Sequence, residues 1–246
     1  TAANGSITDG NGAANNITAA SLNASSSDGI SLDTEISGLS TLGTTGSAGD
    51  IRIGTSRAME LNNSSQFLIS TAAGSAQNIS LSSSASSGIT GVNLFAGSSD
   101  NVTVTASDAS ADITQNTALT LGSGNLTLAA GRDVVLNGAI SKSSGAASAL
   151  TLDAGRDIKF NSNIQSTNNA LGLTADADRN VDGPGTLNLN GGALDITAGG
   201  SLYLGQILAG NVKLETTTGD LTMDSGVEWR GTSFDLQAGG SIKGSD

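Results

Sequence analysis

The sequence predicts an all-β chain wound into a parallel β-helix, with three short strands per rung and about ten rungs. Three observations carry that prediction. A fifteen-residue phrase recurs: residues 126–140 read LTLAAGRDVVLNGAI and residues 150–164 read LTLDAGRDIKFNSNI. Apolar-x-apolar triplets begin at Ile30, Ile51, Ile79, Val102, Leu126, Leu150, Leu171, Leu194, Val212 and Phe234, at intervals of 18 to 28 residues. After most triplets, a Gly-containing bend leads into a second short apolar pair, and a third apolar stretch follows.

Each element follows from its residues. In the triplets the two outer residues are apolar, while the middle one is polar at nine of ten positions (Ser31, Arg52, Ser80, Thr103, Thr127, Thr151, Asp195, Lys213 and Asp235, with Gly172 the exception). A period of two is that of a half-buried strand, so the outer residues point inward. The second strands are marked by Val134/Leu136, Ile158/Phe160, Leu202/Leu204 and Leu221/Met223, introduced by Gly-Arg-Asp, Gly-Gly-Ser or Thr-Gly-Asp. The third stretches stand at Ile140, Ile164, Leu187/Leu189, Ile207/Leu208 and Val227/Trp229. Residues 1–29, where NITAASL near Ile17 reads as a weaker turn of the same pattern, are expected to form an N-terminal rung or cap-like segment. Residues 30–246 are expected to form one continuous solenoid.

The Gly-Arg-Asp phrase reads as a corner. Gly131 and Gly155 are expected to supply positive φ. Asp133 and Asp157 should accept hydrogen bonds from bend amides, and Arg132 and Arg156 should project outward beside acidic neighbours. Asparagine stands directly before strands at Asn16, Asn78, Asn101, Asn125 and Asn211. Stacked side-chain amides can bond along the axis, so a ladder is expected. The first four are also glycan-acceptor sequons.

Composition narrows the chemistry. Cys and His are both absent, which removes thiol chemistry, haem, the usual zinc sites and imidazole catalysis. Net charge is −12 and the ten basic residues are scattered, so no nucleic-acid partner is expected. No apolar run is long enough to span a membrane. Aromatics make up 2% of the chain, leaving few platforms on which a glycosidase could hold sugar rings.

LTLAAGRDVVLNGAI and LTLDAGRDIKFNSNI, together with LDITAGGSLYL and FDLQAGGSIKG, resemble the haemagglutinin-type repeats of filamentous haemagglutinin and related bacterial two-partner-secreted exoproteins. The resemblance runs from about residue 30 to the end. It implies a right-handed parallel β-helix, a secreted or bacterial cell-surface location, and adhesive or structural work. The family's N-terminal secretion domain, with its Asn-Pro-containing motifs, has no counterpart; the single proline is Pro184.

Three other chemistries have partial signals in the sequence. Asp176, Asp178, Asn180 and Asp182 alternate as oxygen ligands do in a calcium loop. Val181 stands where one register needs glycine, and Leu189 where the other needs a twelfth acidic ligand, so a solvated loop competes with the metal reading. Thr103, Thr127 and Thr151 line up as an ice-ordering row would, until Gly172 is expected to break it. Carboxylate pairs could cleave or bind glycans, which stands as the alternative function. The expectation is an extracellular rod, not an enzyme, with no catalytic residue and no cofactor. Its expected partners are a host or cell-surface glycan or protein receptor. Neither end shows a capping helix, so continuation of a longer chain or end-to-end self-association is also expected.

Overall fold

A computed structural model of the chain describes residues 1–12, 14–46, 49–61, 68–70 (backbone only), 76–92 and 99–244. Among them there is no helix, and the strands pair in parallel as a solenoid of about 10 turns. The period-two patterning dictates this arrangement. An apolar residue on every second position needs a partner layer, and a coil of about two dozen residues supplies it by placing each rung on the last.

The first face shows the stacking most plainly. Ile30, Ile51, Ile79, Val102, Leu126, Leu150, Leu173, Leu194, Val212 and Phe234 pair in sequence up the axis. Two residues along, the column reads Leu32, Ile53, Leu81, Val104, Leu128, Leu152, Ala175, Ile196, Leu214 and Leu236. The second face stacks Met59, Ile89, Ile113, Val134, Ile158, Val181, Leu202, Leu221 and Ile242. The third stacks Leu119, Ile140, Ile164, Leu187, Ile207 and Trp229. These columns merge into one apolar core running from Leu22 to Leu221.

Three expectations need correction. The rung at Leu171 pairs two residues later than its apolar triplet suggests: Leu173 lies on Leu150, Thr174 on Thr151 and Ala175 on Leu152, while Leu171 meets Ser148. LGLTADA keeps the same face inward in either register, so alternation cannot distinguish them. Counting back from the bend does, because Asn180 pairs with Asp157. The threonine row therefore continues through Thr174. Secondly, the first-face strand of the opening rung is Ile7–Thr8, paired to Ile30 and Ser31. The segment from Ile17 pairs with Thr34 onward and forms the later faces of that rung.

The third correction concerns the corner glycines. Neither Gly131 nor Gly155 has positive φ. Their constraint is proximity: a Cβ at Gly131 would overlap the carbonyl oxygen of Asp108, and one at Gly155 that of Gly131. The bend lies directly against the backbone of the rung below. Among later rungs, positive φ occurs at Gly145, Asn169 and Asn190, between the third face and the next rung's first face, while Gly88 adopts it at the first-to-second corner of an earlier rung.

Candidate functional site

The densest polar construction lies at the corner between the first and second faces. Arg132 donates from Nε to Asp112 Oδ1 at 2.6 Å and from a terminal nitrogen to Oδ2. Arg156 does the same to Asp133, with Nε at 2.7 Å, and Arg179 to Asp157, with Nε at 2.8 Å. Each arginine thus grips the aspartate of the rung below. The aspartates also accept the backbone amide one rung up: Asp133 N to Asp112 at 3.1 Å, Asp157 N to Asp133 at 3.2 Å, and Asn180 N to Asp157 at 3.2 Å. Bidentate guanidinium-carboxylate pairs are the stronger kind of ionic hydrogen bond. Here the carboxylates of Asp133 and Asp157 are buried and the arginines about half exposed.

The corner thus works as a zipper that ties each rung to the next. The Arg132 guanidinium holds the Asp112 carboxyl below the usual carboxylate range, and Arg179 does the same for Asp157. Asn180 continues the series by accepting Ser201 N at 2.9 Å. It resumes at Asp220, which accepts Ser241 N at 2.9 Å and pairs with Lys243 at 2.6 Å. The expected role of Asp133 and Asp157 as amide acceptors holds, with the donors in the neighbouring rung.

Asparagine ladders run along other corners. Asn125 N donates to Asn101 Oδ1 at 3.2 Å, Ala149 N to Asn125 Oδ1 at 2.8 Å, and Asn101 Nδ2 to Asn78 Oδ1 at 3.5 Å. Asp50 begins this series by accepting Asn78 N at 2.8 Å. The bonds run mainly from backbone amides to side-chain oxygens, so these asparagines substitute for missing strand partners. A second ladder was missed from the sequence: Asn161 Nδ2 donates to Asn137 Oδ1 at 2.7 Å, and Asn137 Nδ2 to Asn116 Oδ1 at 2.9 Å. Its signal was present, since the repeated phrase carries asparagine directly after both second strands.

The four calcium candidates do not converge. Asp176 belongs to the first-face strand Leu171–Ala177 and Asp182 to the second-face strand Asn180–Gly183. Asp178 lies in the bend between them, and Asn180 has its oxygen engaged by Ser201. Among the described residues, no group of three potential ligands is placed to hold a metal ion. Asp176 does lie beside Asp153 across the rungs. Desolvation raises the Asp153 carboxyl, and the charges of Asp176 and Asp178 add to the rise.

One buried charge escaped the sequence reading. Lys142 is fully buried, with Nζ donating to the carbonyls of Gly122 and Ser144, both at 2.8 Å. Burial lowers its pKa. It occupies an inward position of the third face, between Leu121 and Ser166, and only the regular period around Ile140 could have revealed that.

The class defined by this geometry is a parallel β-solenoid whose polar side chains lock one rung to the next. No family model matches the chain, and no curated protein or solved structure matches it either.

Proposed function

We propose that the chain works as an extracellular structural or adhesive rod, either a shaft segment of a large bacterial surface adhesin or a filament-forming subunit. The observation that carries this reading is the unbroken apolar stack through successive rungs, clamped at its corners by the arginine-aspartate and asparagine ladders. Such a body transmits load along its axis, because among the described residues parallel strand ladders join successive rungs along the first and second faces and, from Leu119, along the third. Ten rungs at the strand spacing span roughly 50 Å. The haemagglutinin-type repeat phrases support the same assignment, and with it secretion to the bacterial surface and a receptor on another cell.

In this reading no residue performs catalysis. Electron microscopy of the purified chain tests the rod: stiff particles about 50 Å long, or filaments built from them, are expected. Compact globular particles would overturn it. Beads coated with the chain test adhesion: retention on host or bacterial cells above albumin-coated beads supports it, and equal retention reduces the role to a spacer.

A further inference from the structure

We infer that Thr44 and Gln77 become joined by an intramolecular ester bond, formed on the folded chain with release of ammonia, which ties two successive rungs near the start of the rod. The two side chains meet inside the third-to-first corner, where Thr44 Oγ1 donates to Gln77 Oε1 at 2.7 Å. Both residues are buried, at 3% and 2% exposure. The amide is held in one orientation, because its Nε2 donates to Gly46 O at 3.0 Å. Its carbonyl therefore faces the hydroxyl, and with a C=O bond of about 1.23 Å the carbon lies within about 3.9 Å of Oγ1. Gln77 is also fixed from the rung above: its backbone N donates to Asp100 Oδ1 at 3.1 Å, and its carbonyl accepts Asn101 N at 2.9 Å.

What separates this pair from an ordinary buried hydrogen bond is its company. Asp100 is itself buried, so a nucleophile, an acyl donor and a carboxylate share one closed cluster. At the end of the third face in later rungs, Lys142 and Ser166 turn to backbone carbonyls instead. In the step inferred here, the Thr44 Oγ1 lone pair adds to Gln77 Cδ. The bond from Cδ to Nε2 then breaks with its electrons going to nitrogen, and the hydroxyl proton passes to that nitrogen, which leaves as ammonia. Hydroxyl plus carboxamide gives ester plus ammonia, with nothing oxidised or reduced. Asp100 is the group assigned to carry the proton. Enforced proximity offsets the poor reactivity of an amide, and burial keeps out the water that would hydrolyse the product. The event occurs once per chain, without turnover, and does not depend on the adhesive reading. It would place a covalent tie in rungs below the first arginine-aspartate pair of the zipper, Arg132 with Asp112.

Intact-mass spectrometry of the whole purified chain tests the bond directly, since the ester makes the chain about 17 Da lighter than its sequence. The expected result is that loss, together with a proteolytic fragment in which the peptide carrying Thr44 is joined to the one carrying Gln77. Thr44→Val and Gln77→Leu should each restore the full mass, and Thr44→Ser should keep the loss. Asp100→Asn should slow cross-linking after refolding by about tenfold or more; an unchanged rate overturns the part given to Asp100. Full sequence mass in the parent chain overturns the inference. So does a loss that persists in Thr44→Val, because a succinimide at an Asn-Gly pair sheds the same ammonia. If the variants fail to fold, the joined fragment from the parent chain decides. The rod itself is tested separately by electron microscopy, so either reading can fail without the other.

Discussion

The early rungs and the later ones share an apolar stack but turn their corners differently. In the rung that begins at Ile30 a single strand, Ile30–Thr44, runs through 15 residues and pairs with three strands of the next rung. From Leu126 the rungs break into strands of two to seven residues separated by tight bends. The inward position at the end of the first-face strand shows the contrast. It is Thr34, Thr55 and Ser83 in the early rungs, then Ala106, Ala130, Ala154, Ala177 and Ala198, with a hydroxyl again at Thr216.

The early hydroxyls bond backbone that the strand ladder leaves unpaired. Thr34 Oγ1 donates to Gly54 O at 2.8 Å, Thr55 Oγ1 to Ile36 O at 2.8 Å, and Ser83 Oγ to Arg57 O at 2.6 Å. The rungs with alanine at this position carry the arginine-aspartate zipper on the outside of the same corner, and the hydroxyl returns at Thr216, whose Oγ1 donates to Gly219 O at 2.7 Å. A solenoid core therefore sets the winding, and corner chemistry is chosen locally to satisfy whatever backbone each bend exposes.

The largest expected effect tests what the regions share. Leu152 is fully buried between Leu128 and Ala175. Leu152→Asp buries a carboxylate without a partner and should cost more than about 4 kcal/mol. Leu81→Asp in the early region should cost as much, since its column is the same one. Thermal melts monitored by circular dichroism would read both, and an unchanged curve for either would break the shared-core half of the comparison.

Glycine substitutions separate the regions. Gly155→Ala drives a methyl into the carbonyl of Gly131 and should destabilise by about 2 to 4 kcal/mol. Gly38→Ala should be neutral or slightly stabilising, because its new Cβ would meet Ala20 O at an ordinary 3.6 Å. Equal losses at both sites in denaturant titrations would erase the distinction between pressed and open corners.

Next in size come the polar corners. Asp133→Ala strands the Arg156 guanidinium and the Asp157 amide, and should cost about 2 kcal/mol. Thr55→Val leaves the Ile36 carbonyl and amide without their hydroxyl partner and should cost about 1 to 2 kcal/mol. Hydrogen exchange should place the loosened amides in different rungs, around Asp157 for the first variant and Ile36 for the second. Protection lost globally in both would mean that the corners do not act locally.

Most of this architecture was legible because repetition averages over weak local signals. Ten apolar triplets reveal a strand period that one would not. Legibility failed where two readings share a parity, as in the two-residue slip at Leu173, and where a contact depends on the rung below. Gly131 and Gly155 were readable as special residues, yet the reason, backbone proximity rather than φ, is a tertiary fact. Lys142 sits in a strand pattern that marks it inward, but its polarity argues outward, and only the carbonyls of Gly122 and Ser144 resolve the conflict.

The smallest expected effect is a pH dependence in which two parts of the later rungs pull in opposite directions. Asp112 and Asp157 have folded pKa values below 3.8. The stability they contribute is complete above 3.8 and disappears as pH falls through those lowered values. Asp153 has its folded pKa raised above 3.8 by desolvation, Asp176 and Asp178. Its ionised form is therefore disfavoured in the folded state at neutral pH, and the penalty is relieved as pH falls through the raised value toward 3.8. Asp153→Asn removes that penalty outright. Because the site is exposed, the gain at pH 7 should be below about 1 kcal/mol. The gain should shrink toward zero on acidification to about pH 4, while the steep acid loss set by the zipper remains in both proteins. A gain that instead grows with acid would show that Asp153 is held in its charged form, and that the zipper, not the acidic column beside it, dominates the electrostatics of the later rungs throughout.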